Sequence, residues 1–268
     1  MNFGLIIIGD EILSGKRADK HLPKVIELLA ARGLQLSWAR YVGDEPARIT
    51  ADLRDAFASG DAVFSCGGIG ATPDDHTRQC AAAALGVPLA LHPEAKEFVL
   101  ERMREVAREQ GSVFDPDRDD NKHRLDMAVF PQGTEVIPNP YNKIAGFSVR
   151  RGDAGVFFVP GFPVMAWPMI EWVLDRVYPH LHVAPDTRER SVIVFGAMEA
   201  ALTPLMEAVE GAFPGVKVFS LPSVDHPEYG RHIELGVKGE TSRLVAAYAA
   251  LLEGLRACDA KLGPELVR

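Results

Sequence analysis

Residues 65–77 read Ser65-Cys66-Gly67-Gly68-Ile69-Gly70-Ala71-Thr72-Pro73-Asp74-Asp75-His76-Thr77. The short apolar run just before them, residues 61–64, is typical of a buried strand. The Ala-rich segment after them, Thr77–Leu85, ends at Gly86 and predicts a helix with a glycine stop. Three glycines in four residues allow a sharp turn whose N–H groups can approach a ligand closely. A strand, a glycine turn and a helix N-terminus in this order predict a phosphate-binding site.

The same residues also fit a structural explanation without a ligand. Thr72 occupies a predicted N-cap position, Pro73 the first helical position, and Asp75 follows the cap by three residues, as in a capping box. Asp74 and Asp75 suit the positive end of a helix dipole. Because these carboxylates would repel a phosphate at the same helix end, a phosphate site here requires a divalent cation or a basic side chain between them.

Residues 67–77 resemble the GGxGxTPDDxT signature of the molybdopterin-binding domain family, most closely the branch named after the competence/damage-inducible protein CinA. Shorter matches occur in the family's order at Gly9-Asp10-Glu11-Ile12-Leu13-Ser14-Gly15, Val42-Gly43-Asp44, Asn139-Pro140 and Pro160-Gly161-Phe162-Pro163. The resemblance implies a three-layer, doubly wound α/β fold with a mostly parallel sheet, and a pocket for a phosphorylated pterin or nucleotide. It also implies functional acidic residues at Asp44 and Asp75.

The alternation of short apolar strands and amphipathic helices independently predicts a doubly wound, mostly parallel sheet. Two prolines and mixed charge make residues 179–188 the best candidate linker, so we predict an α/β domain over residues 1–180 and a small domain over residues 181–268. The second domain is expected to be α+β, with the order β-α-β-β-α.

Charge and cysteine content limit the classes of partner. The chain of 268 residues has a net charge of −8, which argues against a broad nucleic-acid or anionic-membrane surface. Related proteins are described as carrying a KH-like RNA-binding module, and residues 236–239 match its GxxG pattern. Residues 180–268 hold nine basic and twelve acidic residues, however, so we expect no nucleic-acid binding there.

Three cysteines without metal spacing and no cationic leader predict a cytoplasmic protein without a membrane partner. We expect a homo-oligomer, with a dimer favoured. Longer relatives carry a C-terminal domain that deamidates nicotinamide mononucleotide. The sequence ends at Arg268 without room for such a domain, so that activity is expected to be absent.

Acidic residues follow three predicted strands, and the carboxyl ends of strands in doubly wound sheets form ligand sites where the strand order reverses. With a flavodoxin-like order, the reversal lies between strands one and three. The predicted ligand or phosphate contacts are Ser14, Gly15, Gly67, Gly68, Gly70, Thr72, Asp74 and Thr77. The predicted divalent-metal ligands are Asp44, Asp75 and Glu11, and Lys143 is a further candidate phosphate partner. Asp10 is interpreted as a turn residue.

The resemblance to the CinA branch implies metal-dependent hydrolysis of ADP-ribose, so a pyrophosphatase with Asp44 and Asp75 as catalytic residues is the leading hypothesis. A bound metal would polarise the pyrophosphate and activate a water molecule. One alternative is a protein of molybdenum cofactor metabolism that binds or adenylylates molybdopterin. The other alternative is a non-catalytic binding module.

Overall fold

The computed structural model describes residues 1–116, 118–183 and 187–268. Contacts divide the chain into two compact units, Met1–His182 and Val183–Arg268. Residues 184–186, which belong to the predicted linker, lie outside the described part of the chain. Among the described helices, none is long and apolar enough to cross a lipid bilayer.

The first unit alternates strands and helices along the chain. Its strands are β1 (Phe3–Ile8), β2 (Leu36–Val42), β3 (Ala62–Cys66), β4 (Leu89–Leu91), β5 (Val129–Pro131), β6 (Glu135–Ile137), β7 (Gly146–Arg151) and β8 (Ala154–Val159). Its helices are α1 (Asp10–Leu13), α2 (His21–Ala30), α3 (Pro46–Ala58), α4 (Thr77–Leu85), α5 (Pro93–Glu109), α6 (Asp119–Leu125) and α7 (Pro163–Arg176). Two short 3₁₀ helices are formed by Asp126–Ala128 and Pro179–Leu181.

The central sheet has the strand order β2-β1-β3-β8-β7-β6. Strands β2, β1, β3 and β8 run parallel, β7 is antiparallel to β8, and β6 is antiparallel to β7. From β1 the chain goes outward to β2 and then returns to β3 on the other side of β1. The strand order therefore reverses between β1 and β3, as the flavodoxin-like topology predicts, and this reversal places the ends of β1 and β3 side by side.

Both faces of the sheet are covered, which explains the continuous apolar run in β1. Leu5 and Ile7 point into a cluster with the buried side chains of α2 and α7. Ile6 and Ile8 point into a second cluster with residues of α3, α4 and α5. Alternate residues of a strand face opposite sides, so a strand between two helical layers needs apolar residues at every position. The predicted three-layer, doubly wound α/β fold is confirmed.

The helix predicted over Thr77–Leu85 is confirmed as α4, with His76 at its N-cap and Gly86 at its C-cap. The capping-box interpretation, with Pro73 as the first helical residue, was wrong, because the helix begins only at Thr77. Residues 72–75 form a separate turn instead, because the Asp75 amide donates to the Thr72 carbonyl at 3.0 Å. The short elements α1, β4 and β5 were also missed, since three or four residues are too few to show a period.

The second unit is a four-stranded antiparallel sheet with two helices. Its elements are β9 (Thr187–Phe195), α8 (Glu199–Ala212), β10 (Lys217–His226), β11 (Gly230–Glu240), α9 (Thr241–Ala257) and β12 (Lys261–Val267). The sheet order is β10-β11-β9-β12, and the apolar residues of α8 and α9 pack on one face of it.

Two features of the second unit differ from the sequence-based prediction. Strand β12 was not predicted; it accommodates Gly263-Pro264 because it lies at the sheet edge, where its register shifts between Leu262 and Glu265. From the sequence, the GxxG residues 236–239 are predicted to join a strand to a helix; in the structure they lie inside β11, which continues to Glu240.

Candidate functional site

The loops after β1 and β2 are joined by a reciprocal pair of hydrogen bonds. The Asp10 amide donates to Asp44 Oδ2 at 2.9 Å, and the Asp44 amide donates to Asp10 Oδ1 at 3.2 Å. Gly43 leaves room for this arrangement, since a Cβ there would lie 2.6 Å from Asp10 Oδ1. Asp10, interpreted from the sequence as a turn residue, therefore fixes the position of Asp44.

Acidic side chains from three strand ends come within electrostatic range of one another. Partial burial raises the pKa of Asp44 above its usual value. The amide of Asp10 opposes this shift, whereas the charges of Asp10, Glu11 and Asp74 raise the pKa of Asp44 further. The ends of β1, β2 and β3 thus meet at one edge of the sheet, as parallel topology requires.

The glycine turn after β3 is held by hydrogen bonds to its carbonyl groups. The Thr77 hydroxyl donates to the Gly67 carbonyl at 3.0 Å, and the Thr77 amide donates to the Gly68 carbonyl at 2.9 Å. Arg78 Nη2 donates to the Gly70 carbonyl at 2.5 Å. Three donors from the first two residues of α4 therefore bind three carbonyls of the turn.

This arrangement determines where the amides of the turn point. In a trans peptide the C=O and the following N–H are antiparallel. The amides of Gly68, Ile69 and Ala71 therefore point away from α4. Among the described residues, none accepts a hydrogen bond from these three amides. Successive unpaired N–H groups of this kind form an anion-binding concavity.

Glycine is required at two positions of the turn. Gly67 has a φ of 107° and Gly68 a φ of 69°, both in the region that side chains disfavour. A Cβ on Gly67 would collide with the Ile8 carbonyl, and one on Gly68 would collide with the Thr77 hydroxyl. The Gly67 amide is itself engaged, because it donates to the Val159 carbonyl at 3.0 Å. Gly67 thus anchors the turn to β8 and has no free donor for a ligand.

The Asp75 carboxylate closes the second half of the turn. Its Oδ2 accepts from the Thr72 amide at 2.8 Å and from the Thr72 hydroxyl at 2.5 Å. A Cβ on Gly70 would lie 2.5 Å from the same oxygen. The carboxylate therefore shapes residues 70–75, one hydrogen-bonded turn ahead of α4.

A cavity of about 330 Å³ lies beside the turn. Thr72, Asp75 and His76 form one side of it, Arg78 belongs to the first turn of α4, and Leu89 and Val129 come from the paired strands β4 and β5. Small-molecule sites typically occupy roughly 300–1,000 Å³ and combine apolar walls with a few placed polar groups. Of the three residues with unpaired amides, Ala71 lines this cavity, whereas Gly68 and Ile69 do not.

The described residues do not assemble the predicted metal ligands into a metal site. Within residues 1–116, 118–183 and 187–268, no three His, Cys, Asp or Glu side chains are placed to hold an ion together. Asp75 is turned toward Thr72, and the Glu11 carboxylate folds over the backbone of Gly9, where a Cβ would lie 2.5 Å from Glu11 Oε2. The donor set does not fit a resident divalent cation.

Other candidate residues lie away from the cavity. Ser14 and Gly15 are exposed and follow α1, and the cavity walls do not include them. Lys143, suggested as a phosphate partner, forms ion pairs with Glu101 at 2.6 Å and Glu105 at 2.5 Å on α5. Its ammonium group is thus occupied on a different element.

Arg78 is the residue at this site that sequence reasoning missed. Only 5% of the side chain is exposed, and burial lowers the pKa of Arg78 below its usual value, against the charges of Asp75 and Asp126. Helical spacing places Arg78 on the same face as the buried Ala81 and Ala82. That spacing was the available signal that this arginine is directed inward.

Comparisons with known proteins identify the family of the chain. Residues 4–181 match the family described as "Probable molybdopterin binding domain". A CinA-like protein from Anaeromyxobacter sp. (strain Fw109-5) is 34% identical over 206 residues, which are 76% of this chain and 48% of that protein. A CinA-like protein from Geobacter sp. (strain M21) is 34% identical over 231 residues, which are 85% of this chain and 52% of that protein.

A solved structure also resembles the chain. The crystal structure of CinA from Thermoplasma acidophilum, described as having unknown function, aligns with a TM-score of 0.55 at 25% identity, covering 66% of this chain and 99% of that one. The chain spans about half the length of the curated relatives that it matches. From the family match over most of the first unit and the identity to these relatives, we conclude that the chain belongs to the molybdopterin-binding domain family, among its CinA-like members.

Proposed function

We propose that the first unit binds a phosphorylated pterin of the molybdopterin class, with the phosphate on the amides of Gly68, Ile69 and Ala71. The observation that carries this proposal is the binding of the Gly67, Gly68 and Gly70 carbonyls by α4, which turns the following amides away from the helix. Amide donors at the N-terminal end of a helix favour an anionic group, because the helix dipole adds to their partial charges.

The acidic residues next to the turn match the other end of such a ligand. A pterin ring carries an amino group beside a ring N–H, and a carboxylate can accept from two such parallel donors. Asp10 and Asp44 are held together at the neighbouring strand end, and Asp74 is close enough to influence Asp44. Phosphate-binding amides and carboxylate acceptors on adjacent loops therefore support a ligand that has both kinds of group.

The family description favours binding of a molybdopterin-class ligand over the pyrophosphatase hypothesis, which was the leading hypothesis from the sequence. A probable molybdopterin binding domain corresponds to the alternative of a molybdopterin-handling protein, and it gives no support to hydrolysis of ADP-ribose. The predicted catalytic pair is also divided, because Asp44 pairs with Asp10 while Asp75 is bound to Thr72. Our proposal is accordingly limited to ligand binding.

The test is a direct binding measurement with the intact chain. Pterin fluorescence reports the dissociation constants of molybdopterin and of its dephosphorylated form, and ADP-ribose serves as competitor. We expect molybdopterin to bind at least about tenfold more tightly than the dephosphorylated form, since several charge-assisted hydrogen bonds are lost with the phosphate. ADP-ribose at equal concentration should not displace it.

One matched pair of variants locates the phosphate. Ala71→Pro removes a single exposed amide N–H from the turn, whereas Ala71→Ser keeps it. The proline variant should lose affinity for molybdopterin but not for the dephosphorylated form, and the serine variant should resemble the unmodified chain. Equal affinity for both pterins, or full affinity in Ala71→Pro, would contradict the proposal.

A further inference from the structure

Arg78 occupies an unusual position for an arginine. With 5% of its surface exposed, it extends from the first turn of α4 beneath the glycine turn and contributes to the wall of the 330 Å³ cavity. Nη2 donates to the Gly70 carbonyl, and Nη1 donates to the Asp126 carbonyl. Nε is buried and has no hydrogen-bond partner among the described residues.

The charge of this guanidinium is not neutralised by direct contact with a carboxylate. Among the ion pairs of the described residues none involves Arg78, and both of its acceptors are neutral backbone carbonyls. Asp75 and Asp126 act on it only at longer range, and the Asp75 carboxylate is bound to Thr72. Burial of a charge without a contacting counter-ion is unfavourable, so an anion that approaches this guanidinium is favoured.

The contact with Gly70 also has a directional effect. The Gly70 carbonyl is drawn toward α4, so the N–H of the same peptide, which belongs to Ala71, points to the opposite side. Thr77 fixes the two preceding peptides in the same way. Without Arg78, the carbonyl of the peptide between Gly70 and Ala71 would have no hydrogen-bond donor among the described residues, and this peptide could rotate.

We propose that Arg78 is a positioning residue for the phosphate of the ligand: it orients the Ala71 amide toward the phosphate and places a positive charge behind the turn. This inference rests on the proposed function, because it assumes an anion at the turn. It also accounts for the basic group that a phosphate site surrounded by Asp44, Asp74 and Asp75 requires.

The test uses inorganic phosphate as the probe and backbone amide resonances of the full chain as the readout. In the unmodified protein, phosphate should shift the amide signals of Gly68, Ile69 and Ala71. Arg78→Met retains an unbranched side chain without charge or donors, and Arg78→Lys retains the charge but not the fork that reaches two carbonyls. Arg108→Met makes the same chemical change at an exposed position near the end of α5, and it is the matched control.

We expect Arg78→Met to weaken phosphate binding about tenfold or more and to abolish the response of Ala71 in particular, since both charge and orientation are lost. Arg78→Lys should recover part of the affinity but not the Ala71 response. Arg108→Met should behave as the unmodified chain. A role limited to tying the turn to Asp126 would lower the melting temperature without this selective loss at Ala71, and that result would overturn the inference.

A second measurement needs no variant at all and covers the case in which Arg78→Met does not fold. The buried Nε–H of Arg78 should give its own resonance in the unmodified protein, and phosphate should shift it together with the turn amides. The role of Arg78 would be rejected, and the proposed function kept, by either of two results. In the first, phosphate shifts the turn amides but leaves the Arg78 Nε–H signal unchanged. In the second, Arg78→Lys binds phosphate as tightly as the unmodified chain. Turn amides that do not respond in the unmodified chain would reject the proposed function as well.

Discussion

Replacing Thr77 by valine removes one hydroxyl group from a fully buried side chain with almost no change in its volume. That hydroxyl donates to the Gly67 carbonyl at 3.0 Å, and Gly67 is itself buried. A buried carbonyl that loses its partner destabilises a protein by about 1–3 kcal/mol. For a unit of this size each kcal/mol lowers the melting temperature by about 2–4 °C, so we expect the transition of the first unit to fall by about 2–12 °C.

The same substitution should weaken phosphate binding, because the Gly67–Gly68 peptide is no longer held and the Gly68 amide loses its fixed direction. Thr77→Ser is the matched control, since it keeps the hydroxyl and removes one methyl group, at about 1 kcal/mol. Both variants should therefore be less stable, but only the valine variant should bind phosphate more weakly. Thermal unfolding followed by circular dichroism and a phosphate titration separate the two effects. Valine and serine variants with equal phosphate affinity would refute the argument that the Thr77 hydroxyl orients the turn.

Three further predictions concern the acidic loops and a strained residue. Because the pKa of Asp44 is raised in the folded protein, ionised Asp44 destabilises the fold at pH 7, and Asp44→Asn should raise the melting temperature slightly. This gain should disappear below a pH of about 3.9, where the carboxyl group is protonated in both the folded and the unfolded chain. Asp225→Asn, at an exposed position, is the control and should show no such gain. Lys143 has a φ of 65°, so Lys143→Gly should be more stable than Lys143→Ala by about 1 kcal/mol in urea unfolding, and equal stabilities would contradict the left-handed conformation. Asp75→Asn weakens the two hydrogen bonds that Thr72 donates, so it should lower the free energy of unfolding by about 1 kcal/mol. Its phosphate affinity should fall by less than that of Arg78→Met, and loss of all phosphate binding would mean that the carboxylate acts on the ligand directly.

The sequence predicted the inner strands β1 and β3 well because they are buried on both faces. A run such as Phe3–Ile8 can be satisfied only between two apolar layers, and clear local signals mark the start of α3 at Pro46 and the end of α4 at Gly86. The same rules failed where a contact from elsewhere in the chain overrides a local signal. Strand β12 passes through Gly263-Pro264 because β9 pairs with it, and no local pattern reports that pairing.

At the candidate site, the structure places several of the predicted residues in contacts within the turn itself. Thr77 was expected to contact the ligand, yet both its hydroxyl and its amide are engaged by carbonyls of the turn. Asp75 was assigned to a metal, whereas its carboxylate binds Thr72. These assignments depend on where side chains fold back on their own loop, and that direction is set by backbone angles, such as those of Gly67 and Gly68, that residue types do not specify.

The two residues that hold the turn, Thr77 and Arg78, are the first two residues of α4, and this has a consequence for the dynamics of the site. Helix ends open and close by local unfolding at much lower free energy than the whole protein. Each such opening at this helix would release three carbonyls at once and randomise the directions of three amides. The measured affinity for a phosphate would then equal the intrinsic affinity multiplied by the fraction of molecules in which the first turn of α4 is closed. Conversely, a bound phosphate would slow hydrogen exchange at the start of α4, so the exchange rate of these amides would report how much of the site is occupied.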